Sequence, residues 1–262
     1  MNRFVPHQTI FDQARRLDKY LKWVLIASTA LTVISIILDK RQQIQDWQYK
    51  EIALTLVNAA SSLCVLGYFT LDIIINIKLY KGGALKRLDL VDNAFDTNYT
   101  GERSKEYFNA QGVESGIYKL AVLAFENSLF TSEIAKRMTI PKLLFTAIIA
   151  AVFFLSASIG SKDITNNIIQ LAATGILIQQ AIKYYQYANR MEAIHDDFKK
   201  LFTDLKGMPD KSPKNCEIIK NVLNYEATHS WGGIILDSNI FKKLNPKLSE
   251  KWEAMKKTYS IS

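Results

Sequence analysis

One short motif combines the residue types that acid–base and metal chemistry require. Glu192, His195, Asp196 and Asp197 lie within six residues of one another, and a histidine beside carboxylates can bind a metal ion or transfer protons. The motif lies on a predicted helix, however, whose solvent-facing side carries charges in any case. No Walker loop, dinucleotide fingerprint, G-x-S-x-G elbow or paired-cysteine metal site occurs in the chain. We therefore expect a solvated helix face, and we predict no catalytic residue, no metal site, no cofactor and no enzymatic activity.

Polar side chains within long apolar segments are the second kind of candidate. Segment 52–77 is almost entirely apolar and exceeds the ~20 residues with which a helix crosses a bilayer. At roughly 100° per residue, its polar residues share one helix face: Thr55, Asn58, Ser62, Asp72 and Asn76. A later apolar segment has a second polar face, which consists of Asn166, Gln170 and Thr174. Because polar groups are penalised in lipid, we expect both faces to point inward.

Two interpretations of these faces stay open. The side chains could hydrogen-bond between helices, or they could line water when several copies assemble. Asp72 differs from the others because an ionisable residue within a span is a functional candidate by default. Asp72 is also close to Lys78 in the sequence, so a simple ion pair between them at the membrane surface is the other interpretation.

The elements that must position these residues follow from the alternation of apolar and charged segments. Four apolar segments predict an all-α integral membrane protein with four transmembrane helices in two hairpins. The domains predicted in chain order are a basic amphipathic helix at 1–22, transmembrane hairpins at 23–77 and 142–185, a cytoplasmic helical insert at 78–141 and a cytoplasmic helical tail at 186–262. The insert and the tail are expected to form one helical domain.

Local signals give finer expectations. The spacing of Ser28 and Thr32 predicts a small-residue face that packs on the second span. Gly82 and Gly83 are expected to loosen the helix that follows this span. Pro141 predicts a helix restart. In the tail, we expect helices at 216–228 and 246–259, separated by a loop that begins at His229, with Pro246 in the first turn.

The charge distribution indicates the topology. The formal net charge is +8. Basic residues gather before the first apolar segment, between the second and the third, and after the fourth, which is typical of cytoplasmic loops. We therefore predict a multi-pass protein of the bacterial inner membrane with both termini in the cytoplasm. The lipid bilayer alone accounts for the positive charge, and nucleic acid is not an expected partner.

The layout resembles a group of small bacterial four-transmembrane, pore-forming effectors that are encoded beside cyclic-nucleotide synthases in antiphage defence systems. The resemblance includes the amphipathic leader Phe11–Leu17, the tight turn Ser161-Lys162-Asp163 and the segments 125–130 and 184–198. It implies a dormant homo-oligomerising protein that senses a cyclic nucleotide or a regulatory protein through its cytoplasmic part. It then permeabilises the membrane, which causes depolarisation and growth arrest. No ligand-binding residue follows from it.

Two other functions fit the same features. A constitutive ion channel or small transporter would share the polar faces, although transporters usually carry repeated halves or broken spans. A membrane scaffold that recruits a partner through residues 84–139 and 190–262 would need no water-facing side chain. Toxicity on expression separates these alternatives, because a scaffold should be harmless under every condition.

Overall fold

A computed structural model describes residues 4–40, 48–104, 108, 110, 112–159 and 164–261, and for residues 157, 159 and 164–170 it describes the backbone alone. The described chain is helical, as predicted. Its α-helices are α1 Gln8–Lys40, α2 Lys50–Phe95, α3 Ile117–Ile159, α4 Ile164–Leu205, α5 Asn215–Gly232 and α6 Ser238–Tyr259. The tight turn expected at 161–163 and segment 41–47, which follows α1, lie outside these residues.

Three of the described helices are long and apolar enough to cross a membrane. They are α1, α2 and the part of α3 from Ile117 to Ser156. This finding agrees with the predicted class of multi-pass membrane protein, because each helix exceeds the ~20 residues that a bilayer core requires. The predicted fourth span corresponds to the first half of α4, whose initial side chains are not described, and it stays a prediction.

The helices are more continuous than local signals indicate. Helix α2 runs through Gly82 and Gly83, and α3 runs through Pro141, so the predicted loosening and restart are wrong. A glycine or proline within a helix costs free energy, but packing of the residues on both sides can outweigh that local cost. Sequence signals for helix breaks report the local cost alone.

Two boundaries in the C-terminal region also differ from the prediction. Helix α5 continues through His229 and ends where Gly233 adopts a left-handed conformation with φ of 52°, which glycine accommodates without strain. Helix α6 begins at Ser238, since the side chain of Asp237 accepts hydrogen bonds from the backbone N–H groups of Asn239 and Ile240 and thus caps the helix. Pro246 therefore lies inside α6 rather than in its first turn.

The chain divides into two compact units. Unit 1 comprises Met1–Asp12, Lys78–Ile140 and Tyr184–Ser262, and unit 2 comprises Gln13–Ile77 and Pro141–Lys183. Each unit is therefore built from segments that are distant in sequence. Unit 2 contains most of the predicted spans, and unit 1 contains the predicted insert and tail together with the first residues of the chain.

The core of unit 1 is organised around Phe125 of α3. Its ring stacks on Phe198 and Phe202 of α4 and meets the edge of Trp252 of α6, and all four side chains are fully buried. Aromatic pairs with this geometry contribute roughly 0.5–1.5 kcal/mol each beyond the burial of their area. The apolar face of α3 that carries Phe125 is thus buried by other helices of the same chain.

Candidate functional site

Within unit 2, α1 and α2 meet through a set of small hydroxyl side chains. Ser28 and Thr32 of α1 and Ser61 of α2 are at most 2% exposed. Ser61 Oγ lies 3.3 Å from both Ser28 Oγ and Thr32 Oγ1. Small residues allow helices to approach closely, and their hydroxyls satisfy one another within the contact. The predicted packing of the Ser28 and Thr32 face on the second span is confirmed.

Asn58 belongs to the same helix contact. Ser35 Oγ donates a 2.7 Å hydrogen bond to Asn58 Oδ1, and Ser35 is buried. Of the two interpretations of the polar face, the described structure shows for Asn58 the hydrogen bond between helices. A polar pair of this kind is worth roughly 0.6 kcal/mol on average in a membrane protein.

The other predicted residues of the α2 face divide between two environments. Thr55 is exposed and donates to the carbonyl oxygen of Glu51 at 2.8 Å. Asn76 is also exposed and donates to the backbone and side-chain oxygens of Asp72. Ser62 is half-buried. The side of α2 that is buried in the structure carries Ser61, Val65, Tyr68, Ile75 and Leu79. The predicted polar face therefore borders this buried side and does not coincide with it.

Asp72 is the centre of a polar network that joins α2 to α4. Tyr68 Oη donates to Gln180 Oε1 at 3.0 Å, and Gln180 Nε2 donates to Asp72 Oδ1 at 3.3 Å. Asn76 Nδ2 lies 3.1 Å from the other carboxylate oxygen, Asp72 Oδ2, and the charge of Lys183 also acts on the carboxylate. The carboxylate therefore has polar partners on both helices.

Gln180 is the functional candidate that the sequence prediction missed. It lies near the end of the fourth apolar segment, a few residues before Lys183, where a glutamine resembles the start of an interfacial region. Of the residues predicted for α4, Thr174 is buried. The side chains of Asn166 and Gln170 lie outside the described residues. The signal that could have identified Gln180 is that an amide in an apolar helix requires a polar partner.

The acid and histidine motif on α4 does not assemble into one site. His195 is 4% exposed, whereas the three carboxylates form ion pairs elsewhere: Glu192 with Lys136 at 2.5 Å, Asp196 with Lys199 at 2.8 Å and Asp197 with Lys200 at 3.7 Å. The expected solvated face thus describes the acids but not the histidine. Among the residues that the structure describes, no group of three or more His, Cys, Asp or Glu could hold a metal ion.

A buried polar cluster in unit 1 was not foreseen either. Lys86 Nζ is placed to donate to Tyr225 Oη at 3.2 Å and to His229 Nε2 at 3.4 Å. His7 Nδ1 lies 3.8 Å from Asp89 Oδ2. Burial, together with the positive charge of Lys86, lowers the pKa of His7 to about 3 and the pKa of His229 well below its usual range. Both rings are therefore neutral at physiological pH.

No known protein family, no curated protein and no solved structure matches this chain. The fold and the polar side chains define an all-helical chain with three candidate membrane-spanning helices.

Proposed function

We propose that this chain is a gated, membrane-permeabilising effector of the bacterial inner membrane. The observation that carries the proposal is the Asp72 network, in which a carboxylate within a predicted span is shared between α2 and α4 through Gln180. A carboxylate at membrane depth is costly and is by default a candidate for an ion or proton pathway. In this proposal, the Asp72 network lines part of the pathway along which ions cross the membrane.

The finer topology is part of this proposal. The first half of α4 serves as the fourth span, both termini lie in the cytoplasm, and unit 1 is the cytoplasmic domain. The support is the fully buried aromatic core of unit 1, which is typical of a water-soluble domain, and the apolar sequence of α4 up to Ile182.

The hydroxyl contact between α1 and α2 accounts for a closed state. In one copy of the chain, Ser28, Thr32 and Ser61 bind one another, and Ser35 binds Asn58. These groups have no need of water while the contact is intact. In the proposed open state, copies of the chain assemble in the bilayer and some of these side chains exchange their partners for water. The trigger is a nucleotide signal or a regulatory protein, as the resemblance to antiphage effectors implies.

A non-conducting scaffold is the second candidate. It is favoured by the same hydroxyl contact, since three side chains that are nearly inaccessible to solvent serve helix packing without any further role. The scaffold requires no role for Asp72 beyond hydrogen bonding.

Ion leak from liposomes tests the proposal. The full chain is reconstituted with a fluorescent cation reporter, and wild type is compared with Asp72→Asn and Gln180→Leu. We expect both substitutions to change the leak, because they alter the charge and the partner of the proposed route. Thr55→Val is the matched control, since Thr55 bonds only to its own helix in the described contacts, and its leak should equal that of wild type.

Two outcomes would count against the effector. Equal leak in wild type, Asp72→Asn and Gln180→Leu would exclude a role for the network in permeation. Expression that leaves membrane potential and growth unchanged under every condition would favour the scaffold.

A further inference from the structure

The first described residues of the chain pack within unit 1 instead of extending away from it. Val5 and His7 are buried, and the N–H of Gln8 donates to the carbonyl oxygen of Val5 at 3.1 Å. We call residues 4–12 the N-terminal latch. A segment that packs in this way has lost conformational entropy, so its contacts must stabilise the packed state.

The latch approaches α2 most closely at Gly82. A methyl group added to Gly82 would lie 3.2 Å from Cζ of Phe11 and 3.4 Å from Cγ2 of Ile10. These distances are shorter than an ordinary contact between carbon atoms. A side chain at Gly82 would therefore displace Phe11 or Ile10 by a few tenths of an ångström, so glycine favours the observed seating of the latch. This accounts for a residue that the sequence alone presents as a helix-loosening signal.

A second contact lies about two turns further along α2. His7 faces the fully buried Asp89 at 3.8 Å, and its ring meets the ring of Phe11 edge to face, with 5.7 Å between centroids. Asp89 also accepts the backbone N–H of Ser104 at 2.8 Å. The latch thus covers Asp89, which is hydrogen-bonded to the loop after α2.

The latch is also continuous with a candidate span. Its residues from Gln8 onward form the beginning of α1, which ends at Lys40 and is one of the three helices able to cross a membrane. Release of the latch would therefore free the first turns of a helix that also belongs to the membrane segment.

We propose that the N-terminal latch is an autoinhibitory contact: residues 4–12, seated on Gly82 and Asp89, hold the protein closed, and opening requires their release. This inference rests on the proposed effector function and assigns its regulation to one contact within unit 1.

The test uses the full chain in liposomes with two variants that release the latch by different means. Gly82→Leu fills the space that Phe11 and Ile10 occupy, and a deletion of residues 2–7 removes His7 while it retains α1. Gly83→Ala is the matched control, because a methyl group there meets its nearest atom, Nη1 of Arg87, only at 3.6 Å. In Gly82→Leu, which keeps the acceptors Val5 and His7, hydrogen exchange at the amides of Gln8 and Phe11 reports release. Exchange at 121–125 reports in both variants that the core is intact.

We expect Gly82→Leu to exchange faster at Gln8 or Phe11, and both variants to leak roughly tenfold more than wild type without any trigger. Gly83→Ala should resemble wild type. Faster exchange with an intact core and unchanged leak would overturn the latch. Unchanged exchange in Gly82→Leu would overturn its seating on Gly82. The effector function would still be judged separately, by the effect of Asp72→Asn on leak and on membrane potential in cells.

Discussion

Ser128 Oγ lies 3.0 Å from Nδ1 of His195, and this contact joins α3 to α4 within the core of unit 1. Ser128 also donates to the carbonyl oxygen of Phe125 at 2.7 Å, so its single proton is already used. His195 must then donate through Nδ1–H, which makes Nε2 an acceptor. Nε2 is buried without a hydrogen-bond partner in the described structure. A residue that resembles a catalytic base in the sequence is thus a neutral core histidine.

Acid should destabilise the protein through His195. Burial, followed by repulsion from Lys199 and Lys251, lowers its pKa from 6.5 to about 4. The unfolded chain therefore binds a proton first as the pH falls, so the stability is complete above about pH 6.5 and decreases until about pH 4. The shift corresponds to at most roughly 3 kcal/mol.

Urea unfolding in detergent, followed by tryptophan fluorescence at pH 8 and pH 5, measures this effect because Trp252 is fully buried. His195→Gln retains a hydrogen-bonding side chain but cannot titrate. We expect it to lose part of the wild-type decrease between the two pH values. An identical decrease in both proteins would show that His195 does not contribute.

Asp92 should be the side chain that fixes the loop after α2. It is fully buried and accepts four hydrogen bonds of 2.7 to 2.8 Å, from the hydroxyls of Thr97 and Thr100 and the backbone N–H groups of Tyr99 and Thr100. Burial acts to raise the pKa of Asp92, but these donors outweigh it and lower the pKa to about 2. The contribution is complete above the unfolded value of 3.8 and is lost as the pH falls through about 2.

Asp92→Asn replaces an acceptor oxygen with an NH₂ group that faces a donor. We expect the free energy of unfolding at pH 7 to fall by roughly 1–3 kcal/mol. Asp96→Asn is the matched control, since Asp96 is exposed and its partners Arg103 and Ser115 are also accessible. Urea midpoints of the two variants provide the comparison, and equal decreases would contradict the special role of Asp92.

The sequence was sufficient for the helical class, the apolar segments and the Ser28 and Thr32 face, because each depends on composition or on helical periodicity. It was not sufficient for the partner of that face. Ser61 and Ser62 are adjacent, and a rotation of roughly 100° separates a fully buried hydroxyl from a half-buried one. The partnership of Asp72 with Gln180 depends on which helices are neighbours, which periodicity within one helix does not reveal.

Ser61 and Ser62 allow a matched test of the helix contact in unit 2. Ser61→Leu should force bulk between Ser28 and Thr32 and remove their shared hydrogen-bond partner. We expect it to destabilise the protein by roughly 1–3 kcal/mol. Ser62→Leu introduces the same side chain at a half-buried position and should have a smaller effect. Thermal unfolding in detergent compares them, and a larger loss in Ser62→Leu would contradict the described face.

Gly232 and Gly175 should respond oppositely to the same substitution. Both lie within helices, where replacement of glycine by alanine ordinarily stabilises by up to about 1 kcal/mol. At Gly232, however, the added methyl group would overlap the ring of Tyr187, which is 1% exposed and cannot move into solvent. At Gly175, no atom lies within 4 Å of the added group. Gly232→Ala should therefore lower the urea midpoint, whereas Gly175→Ala should leave it unchanged or raise it. An increase in both would mean that α5 is less closely packed on Tyr187 than described, because helix propensity would then be the dominant effect at both positions.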